Sequence, residues 1–517
     1  MNNIKRNLLI ITVLLAAVME LIDTTIVNVA LSHMSGNLGA TLEDTTWVVT
    51  AYAIANVIII PMTSFLTAIF GRRKYYIGSI IIFVICSFMC GAAGNIWTLV
   101  AFRFLQGLGG GALLSVSQAV IFEQFTKEKQ GVAGAIFGVG VFIGPTIGPT
   151  MGGIIIDNYN WPLIFYINIP IGIAAAISCY FLLTEPAIKA KIGTVDWLGI
   201  ILLAVGIGSL QTVLERGQTE DWFETGYIII LTVTAILSLG GFIIWELRVA
   251  HPVVNLRVFK SRSLTIAAIL TFITGIGMFT SVFLTPVIAQ RLLGFTPTET
   301  GFMLLPSAVI AIVILIGSGR LMAKGLSPIL IVALGFLCFI YFNWSMSEIN
   351  FDVSAGTISY NLIFRATAMA FLTVPLTVLA VSSLPPAEIP QGAALNNMMR
   401  QLGGAFGISA VNTYYARRTA VHRVDLISHL TPSDPETLNR INNLSSYFRQ
   451  KGFTQLEAKM KAMAVIEQTV IKQTSMLSYI DCYYFIGALF VITLPLLLLV
   501  LRTPKNKALS KMIISDH

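Results

Sequence analysis

Two acidic side chains and one arginine lie inside long apolar stretches, where a charge is costly and usually serves a function. Glu20 and Asp23 stand three residues apart, so a helix places both carboxyls on one face. Because two neighbouring carboxylates resist ionising together, one of them can titrate near neutral pH, as a proton carrier must. We predict a proton-coupling site in which Asp23 carries the proton, Arg103 sets its affinity and Glu20 supports it.

The depths of Asp23 and Arg103 in the membrane favour a contact between them. A helix rises about 1.5 Å per residue, so Asp23 lies about 22 Å from Leu8 and about 8 Å below the far face of a core about 30 Å thick. Arg103 lies about 9 Å below the same face if its segment enters there near Trp97. The pair could also be a structural ion pair between the first and fourth segments, and the two roles can coexist.

A second set of side chains suits a permissive pocket. Methionines and aromatic residues adapt to many shapes, although packing in a core or against lipid is their commoner role. Arg365 either faces a negative group of a substrate or satisfies neighbouring carbonyls. The second half of the chain has no acid at mid-membrane depth, which favours neutral or weakly anionic compounds over divalent cations. The predicted pocket comprises Asn28, Gln106, Met278, Phe283, Arg365 and Met398.

Membrane-spanning helices must position these residues. Of the 517 residues, 56% are hydrophobic and 11% are charged, against about 25% charged in soluble domains, which excludes a soluble globular or disordered chain. The five cysteines all lie in apolar runs and show no paired framework. Fourteen apolar segments are long enough to span a bilayer, at 8–32, 47–69, 76–94, 97–122, 131–156, 161–184, 196–215, 226–247, 264–290, 299–320, 327–346, 358–384, 392–416 and 477–501.

Positive charges decide the orientation, because lysine and arginine accumulate in cytoplasmic loops. An even number of spans places both termini on one side of the bilayer. With the termini in the cytoplasm, about 19 basic residues face inward, against Arg216 and Arg291 in the short outer loops. We therefore predict a multi-pass protein with cytoplasmic termini, a lipid bilayer as its surroundings and no nucleic-acid partner.

The sequence lacks the motifs for nucleotide-driven pumping and for metal binding. No Gly-Lys dipeptide occurs in the chain, so the phosphate-binding loop of a nucleotide-driven pump is absent. The five histidines lie in loops or at ends, which leaves no metal-ligand cluster at membrane depth. We therefore expect no cofactor, no metal and no enzymatic activity.

Glycine and proline are concentrated in the fifth segment. Small residues at four-residue steps indicate close helix packing. The repeated Gly-Pro pair indicates a gate, because each proline frees a backbone carbonyl and kinks the helix. The candidate gating residues are Gly144, Pro145, Gly148, Gly152 and Gly153.

This segment resembles the antiporter motif of the major facilitator drug:proton antiporters with fourteen spans, and the chain looks close to the EmrB-type multidrug exporters. The run from Ile22 to Leu31 is similar to the first-helix signature of the group, with Ser32 in place of the usual proline. The resemblance implies an all-α membrane protein with two six-helix bundles and two extra central helices, which alternates access by rocking the bundles. Further matches lie at 103–109, 161–172, 221–222 and 400–404.

The resemblance also implies that entering protons drive lipophilic toxic compounds out across the bacterial inner membrane. Its implied partners are a periplasmic membrane-fusion adaptor and an outer-membrane channel. The nearest alternative is an exporter of one physiological compound, such as a siderophore or a fatty acid. An alternative of another class is a non-transporting sensor or lipid-modifying enzyme, whose polar catalytic cluster the sequence lacks.

One loop departs from the family pattern. It keeps Gly71, Arg72 and Arg73, but Ala68 occupies the acidic position of the gating motif. If that acid normally holds a closed state through a charge pair, other contacts must hold it here. The arginines are also typical of plain cytoplasmic anchoring.

Hydrophilic segments divide the chain. We predict an N-terminal six-helix bundle over 1–185, the extra pair with its linkers over 186–262, a C-terminal bundle over 263–503 and a cytoplasmic tail over 504–517. Residues 417–476 should form a periplasmic insertion with two short helices. The second carries an apolar stripe formed by Leu456, Met460, Met463, Ile466 and Val470. Either the two helices pack on each other and merely extend the thirteenth and fourteenth spans, or the stripe docks the adaptor.

Overall fold

The computed structural model describes residues 3–126, 129–185, 196–250, 252–382, 384–385, 388–431 and 434–497. The linker at 186–195 and the predicted tail at 504–517 lie outside these ranges. Within them the chain is helical and has no strand. The helices are α1 (Asn3–Leu38), α2 (Leu42–Phe70), α3 (Arg72–Gly91), α4 (Ile96–Glu123), α5 (Gln130–Asn158), α6 (Leu163–Tyr166), α7 (Asn168–Leu182), α8 (Trp197–Arg216), α9 (Gly226–Arg248), α10 (Arg262–Val287), α11 (Pro297–Ala323), α12 (Pro328–Ser347), α13 (Ala355–Ser382), α14 (Ile389–Ser428), α15 (Pro435–Gln450) and α16 (Gln455–Thr493).

Each of the fourteen predicted spans coincides with helix over most of its described residues. Thirteen helical stretches of the described chain are long and apolar enough to cross a membrane, and they match every predicted span except 392–416. That span lies in α14, a more polar helix of 40 residues that packs along α2, α10 and α16. The all-α membrane fold is therefore confirmed.

The helices pack in two groups. An N-terminal group contains α1–α7, and a C-terminal group contains α10–α14 with α16, while α8 packs with α9 and touches both α2 and α14. The groups meet where α5 runs along α11 and α13, and where α2 and α4 face α14. We refer to the side of the molecule where α1 begins and α16 ends as the terminal side, and to the opposite side as the distal side.

The hydrophilic segment 417–476 extends the distal side. Two helices begin there where the sequence predicts, at Pro435 and at Gln455, but only α15 is short: α16 continues to Thr493 as part of the last span, and α14 itself extends to Ser428. The physical reason is the absence of any proline or glycine between Gln455 and Ile486, so nothing breaks the last helix.

Local sequence signals set the ends of these distal helices. Asp434 caps α15, where the hydroxyl and the backbone N–H of Thr437 donate to its carboxylate and lower its pKa. Thr454 and Glu457 form the predicted capping box at the start of α16. Short capping motifs therefore define where the helices of the segment begin.

Candidate functional site

An ion pair lies at the centre of the N-terminal group, between α1 and α4. Arg103 Nη1 donates to Asp23 Oδ2 at 2.5 Å, and both side chains are almost completely excluded from solvent. The other carboxylate oxygen, Asp23 Oδ1, accepts from Gln106 Nε2 at 3.1 Å and from Asn168 Nδ2 at 2.8 Å. An ionised carboxylate only accepts hydrogen bonds, and the three donors match that form.

The guanidinium of Arg103 likewise has hydrogen-bond acceptors for its N–H groups. Its Nε donates to the Val48 carbonyl at 3.1 Å, and its Nη1 also reaches Gln106 Oε1 at 2.8 Å. The group lies 4.2 Å from the centre of the Tyr52 ring and 5.7 Å from that of Phe165. Groups from α1, α2, α4 and α6 therefore surround a fully desolvated cation, which would be costly to leave without its anion.

Glu20 lies one helical turn from Asp23 but has different partners. Its Oε1 accepts from Asn56 Nδ2 at 2.9 Å and from the Tyr52 hydroxyl at 3.3 Å. Its Oε2 is buried and has no hydrogen-bond partner among the described residues. The side chain is 1% exposed and interacts electrostatically with Asp23 and with Arg400 of the C-terminal group. Glu20 is thus the acid of the pair that faces neutral donors and the interface between the groups.

A chain of amides connects Arg400 to the N-terminal group. Arg400 Nη2 donates to Asn397 Oδ1 at 2.5 Å, and Asn397 Nδ2 donates to Gln118 Oε1 of α4 at 2.7 Å. All three side chains are buried. Gln118, Asn397 and also Asn56 were not among the site residues predicted from the sequence. The signal for each of them was an amide side chain inside an apolar span.

The predicted gating residues lie on two faces of α5: the glycines contact α1 and the prolines line a cavity. Glycines of one face lie against α1: an added methyl would come within 2.4 Å of Leu21 Cβ at Gly144, 2.1 Å of Thr25 Oγ1 at Gly148 and 2.9 Å of Ile26 Cγ1 at Gly152. Gly153 is also buried. This face packs directly on the turn of α1 that carries the two acids.

The prolines of α5 face the other helix group. Pro145 and Pro149 line a cavity of about 30 Å³ between the groups, together with side chains of α10, α11 and α13. Met278 and Arg365 of the predicted pocket also line this cavity. The other four pocket residues lie elsewhere: Gln106 belongs to the ion pair, Asn28 and Phe283 are exposed, and Met398 is half-buried.

The loop that lacks an acid at Ala68 is held by acids from elsewhere. Gly71 turns the chain between α2 and α3 with a φ of 81°, which favours glycine. The buried guanidinium of Arg72 pairs with Glu123 and donates to the Thr184 carbonyl at 2.9 Å. The Glu185 carboxylate accepts from the backbone N–H groups of Arg72 at 2.9 Å and of Arg73 at 3.1 Å. These contacts stay within the N-terminal group.

The protein is a multi-pass membrane protein with a small cavity between two groups of helices and a buried network of charged side chains. The model of the Major Facilitator Superfamily matches residues 13–408. The chain therefore belongs to this superfamily of transporters, which confirms the resemblance seen in the motifs.

Relatives of known name extend over nearly the whole chain. The fatty acid resistance protein FarB of Neisseria gonorrhoeae is 32% identical over 482 residues, covering 93% of each chain. The multidrug export protein EmrB of Escherichia coli K12 is 32% identical over 483 residues, again covering 93% of each. The human organic anion transporter MFSD10 superimposes with a TM-score of 0.60 at 13% identity over 95% of this chain and 99% of its own, and shares the fold.

Proposed function

We propose that the chain is a proton-driven exporter of lipophilic compounds that works by alternating access. The observation that carries this proposal is the buried Glu20 carboxyl, which lies beside the Asp23–Arg103 pair and interacts with Arg400 across the interface. Membership of a transporter superfamily and the names of the EmrB and FarB relatives support it. The proposed activity moves its substrate unchanged, without a cofactor or a chemical step.

The geometry favours Glu20 over Asp23 as the group that takes up the proton. Asp23 is paired with a cation and has three donors, so protonating it would break the best-matched contacts of the site. Glu20 has one oxygen with no partner among the described residues, and a proton on that oxygen displaces no hydrogen bond. Asp23 and Arg103 then keep their charges, while the neighbouring Glu20 carboxyl takes up and releases the proton.

Protonation of Glu20 would weaken the attraction between the two helix groups. In the ionised state the carboxylate attracts Arg400, whose guanidinium is also tied through Asn397 to Gln118. Neutral Glu20 loses that attraction, whereas the hydrogen bonds that connect Arg400 through Asn397 to Gln118 remain. The proton thereby favours separation of the groups, which alternating access requires.

Helix α5 connects the proton site to the cavity. Its glycine face touches Leu21 and Thr25, next to both acids, and its proline face lines the cavity. A shift of α1 against α5 therefore changes the cavity wall, because glycine leaves no compliant side chain between the helix backbones. This contact is the proposed mechanical link between proton movement and substrate movement.

Everted membrane vesicles with an imposed pH gradient test the proposal. We expect gradient-driven movement of several unrelated lipophiles, abolished by a protonophore and absent from vesicles without the protein. Movement of a single compound alone would favour the alternative, an exporter of one physiological substance, which the name of the FarB relative also fits. Vesicles that move no lipophile under either sign of the gradient would contradict the proposal.

The proposed location is the bacterial inner membrane, with both termini in the cytoplasm. The proposed bundle boundaries remain 1–185 and 263–503, with 186–262 as the extra pair and its linkers. This orientation makes the distal side periplasmic. A cysteine at the exposed Asn442 of α15 should react with an impermeant maleimide in intact spheroplasts, and protection there would contradict the orientation.

We also propose that the distal segment docks a periplasmic adaptor, which serves an outer-membrane channel. Of the apolar stripe on α16, Leu456, Met460 and Met463 are exposed, Ile466 is half-buried and Val470 is buried. Ala458 and Ala462 pack inward, as Val470 does. Replacing the three exposed side chains with serine should preserve vesicle transport but lower resistance in cells and adaptor co-purification. Equal loss in vesicles would assign the stripe to folding.

A further inference from the structure

The cavity between the helix groups is lined by a buried cation that has no anionic partner among the described residues. Arg365 of α13 lines it and is 6% exposed. Within the described part of the chain, the guanidinium makes one hydrogen bond, from Nη1 to the Ser281 carbonyl at 3.3 Å. Among the described residues no carboxylate pairs with it, and the titratable group that interacts with it is the phenol of Tyr483, which is neutral at pH 7.

The other two arginines deep inside the helices are satisfied differently. Arg103 has the Asp23 carboxylate, a carbonyl and an amide, and Arg400 has Asn397 and the charge of Glu20. A guanidinium carries five N–H donors, and one long bond to a carbonyl leaves most of them unused. Because a desolvated cation is costly without a counter-charge, Arg365 stands out as a binding group rather than a structural one.

We infer that Arg365 binds the anionic head group, such as a carboxylate, of an amphipathic substrate. This inference rests on the proposed function and names the substrate class for that site. The planar guanidinium suits bidentate binding of a carboxylate. The surrounding walls are apolar, with Phe142, Met278 and Leu304, and suit an alkyl or aryl body.

The size of the cavity indicates how such a substrate would bind. A volume of about 30 Å³ holds little more than a water molecule or a small head group. The apolar body therefore enters only when the two groups separate along α5 and α13. The head group reaches Arg365 at the same interface where Glu20 faces Arg400, so anion binding and proton movement act on one contact surface.

The test measures binding to the full-length purified protein in lipid nanodiscs. Dodecanoate serves as the anionic probe and 1-dodecanol as its neutral counterpart of equal chain length. We expect Arg365→Gln to weaken dodecanoate binding about tenfold to hundredfold, the range for lost charge-assisted hydrogen bonds, with dodecanol binding unchanged. Arg365→Lys should weaken it less. Arg320→Gln, at an exposed arginine of α11, is the matched control and should have no effect.

Two outcomes would overturn the inference. Unchanged dodecanoate binding in Arg365→Gln would show that the head group binds elsewhere. Equal loss of both probes, or equal loss in Arg365→Lys, would assign Arg365 to packing.

Gradient-driven efflux of the neutral lipophile N-phenyl-1-naphthylamine separates this inference from the proposed function. If wild type and Arg365→Gln both export it while dodecanoate binding is unaffected, only the anion site is refuted. If wild type exports nothing, the proposed function fails and the binding result still decides the role of Arg365.

Discussion

Replacing each of the two acids of α1 by its amide should lower the stability of the protein by very different amounts. Asp23→Asn removes the anion of a buried pair and turns an acceptor into an NH2 group that faces donors from Arg103, Gln106 or Asn168. Breaking a buried pair by removing one partner costs about 3–5 kcal/mol. Glu20→Gln keeps the acceptor for Asn56 and places its NH2 where no hydrogen bond existed, so we expect a loss of about 1 kcal/mol or less.

The free energy of unfolding in mixed micelles, titrated with a denaturing detergent, measures both changes. Thr12→Ala, a substitution elsewhere in α1 that removes only a hydrogen bond to the Leu8 carbonyl, provides the control. Equal stability of the two amide variants, or a less stable Glu20→Gln, would refute the assignment of Asp23 as the fixed charge and Glu20 as the free one.

Three further predictions follow from the contacts of the helices. Gly148→Ala should destabilise the fold by about 1–3 kcal/mol, because its methyl meets Thr25 Oγ1, whereas Gly317→Ala has open space and should not; thermal unfolding compares them. Asn397→Ala leaves two buried partners unsatisfied and should cost about 1–3 kcal/mol, measured in the same assay; no loss would contradict the bridge. Glu123→Gln, at a half-exposed acid, should cost at most about 1 kcal/mol, and added salt should shrink the difference from wild type.

The sequence was sufficient for the fold because the bilayer imposes a simple rule. A backbone in lipid must satisfy its own hydrogen bonds, so each long apolar run becomes a helix, as all fourteen predicted runs did over most of their described residues. The predicted extent of the distal helices failed for a related reason. Beyond the membrane hydrophobicity no longer marks a helix, and only the absence of breakers showed that α16 continues outward from the last span.

The site was only partly predictable. Counting residues from the ends of two spans was enough to bring Asp23 and Arg103 to one depth, where the structure places them in contact. Counting residues gives the depth of a side chain but not its direction. That Glu20 points toward Asn56 and Asp23 toward Arg103 depends on how each helix is rotated in the bundle. Counting likewise could not separate Gln106, a partner of the ion pair, from the residues that line the cavity.

Transport by Glu20→Gln in proteoliposomes tests the central claim most directly. Two assays on the same preparation compare uphill movement of a lipophilic substrate under a pH gradient with exchange of labelled for unlabelled substrate without a gradient. If Glu20 carries the coupling proton, the variant loses uphill movement and the pH dependence of exchange, while exchange itself persists because the amide mimics the protonated acid. Uphill transport by Glu20→Gln at the wild-type rate would contradict the account.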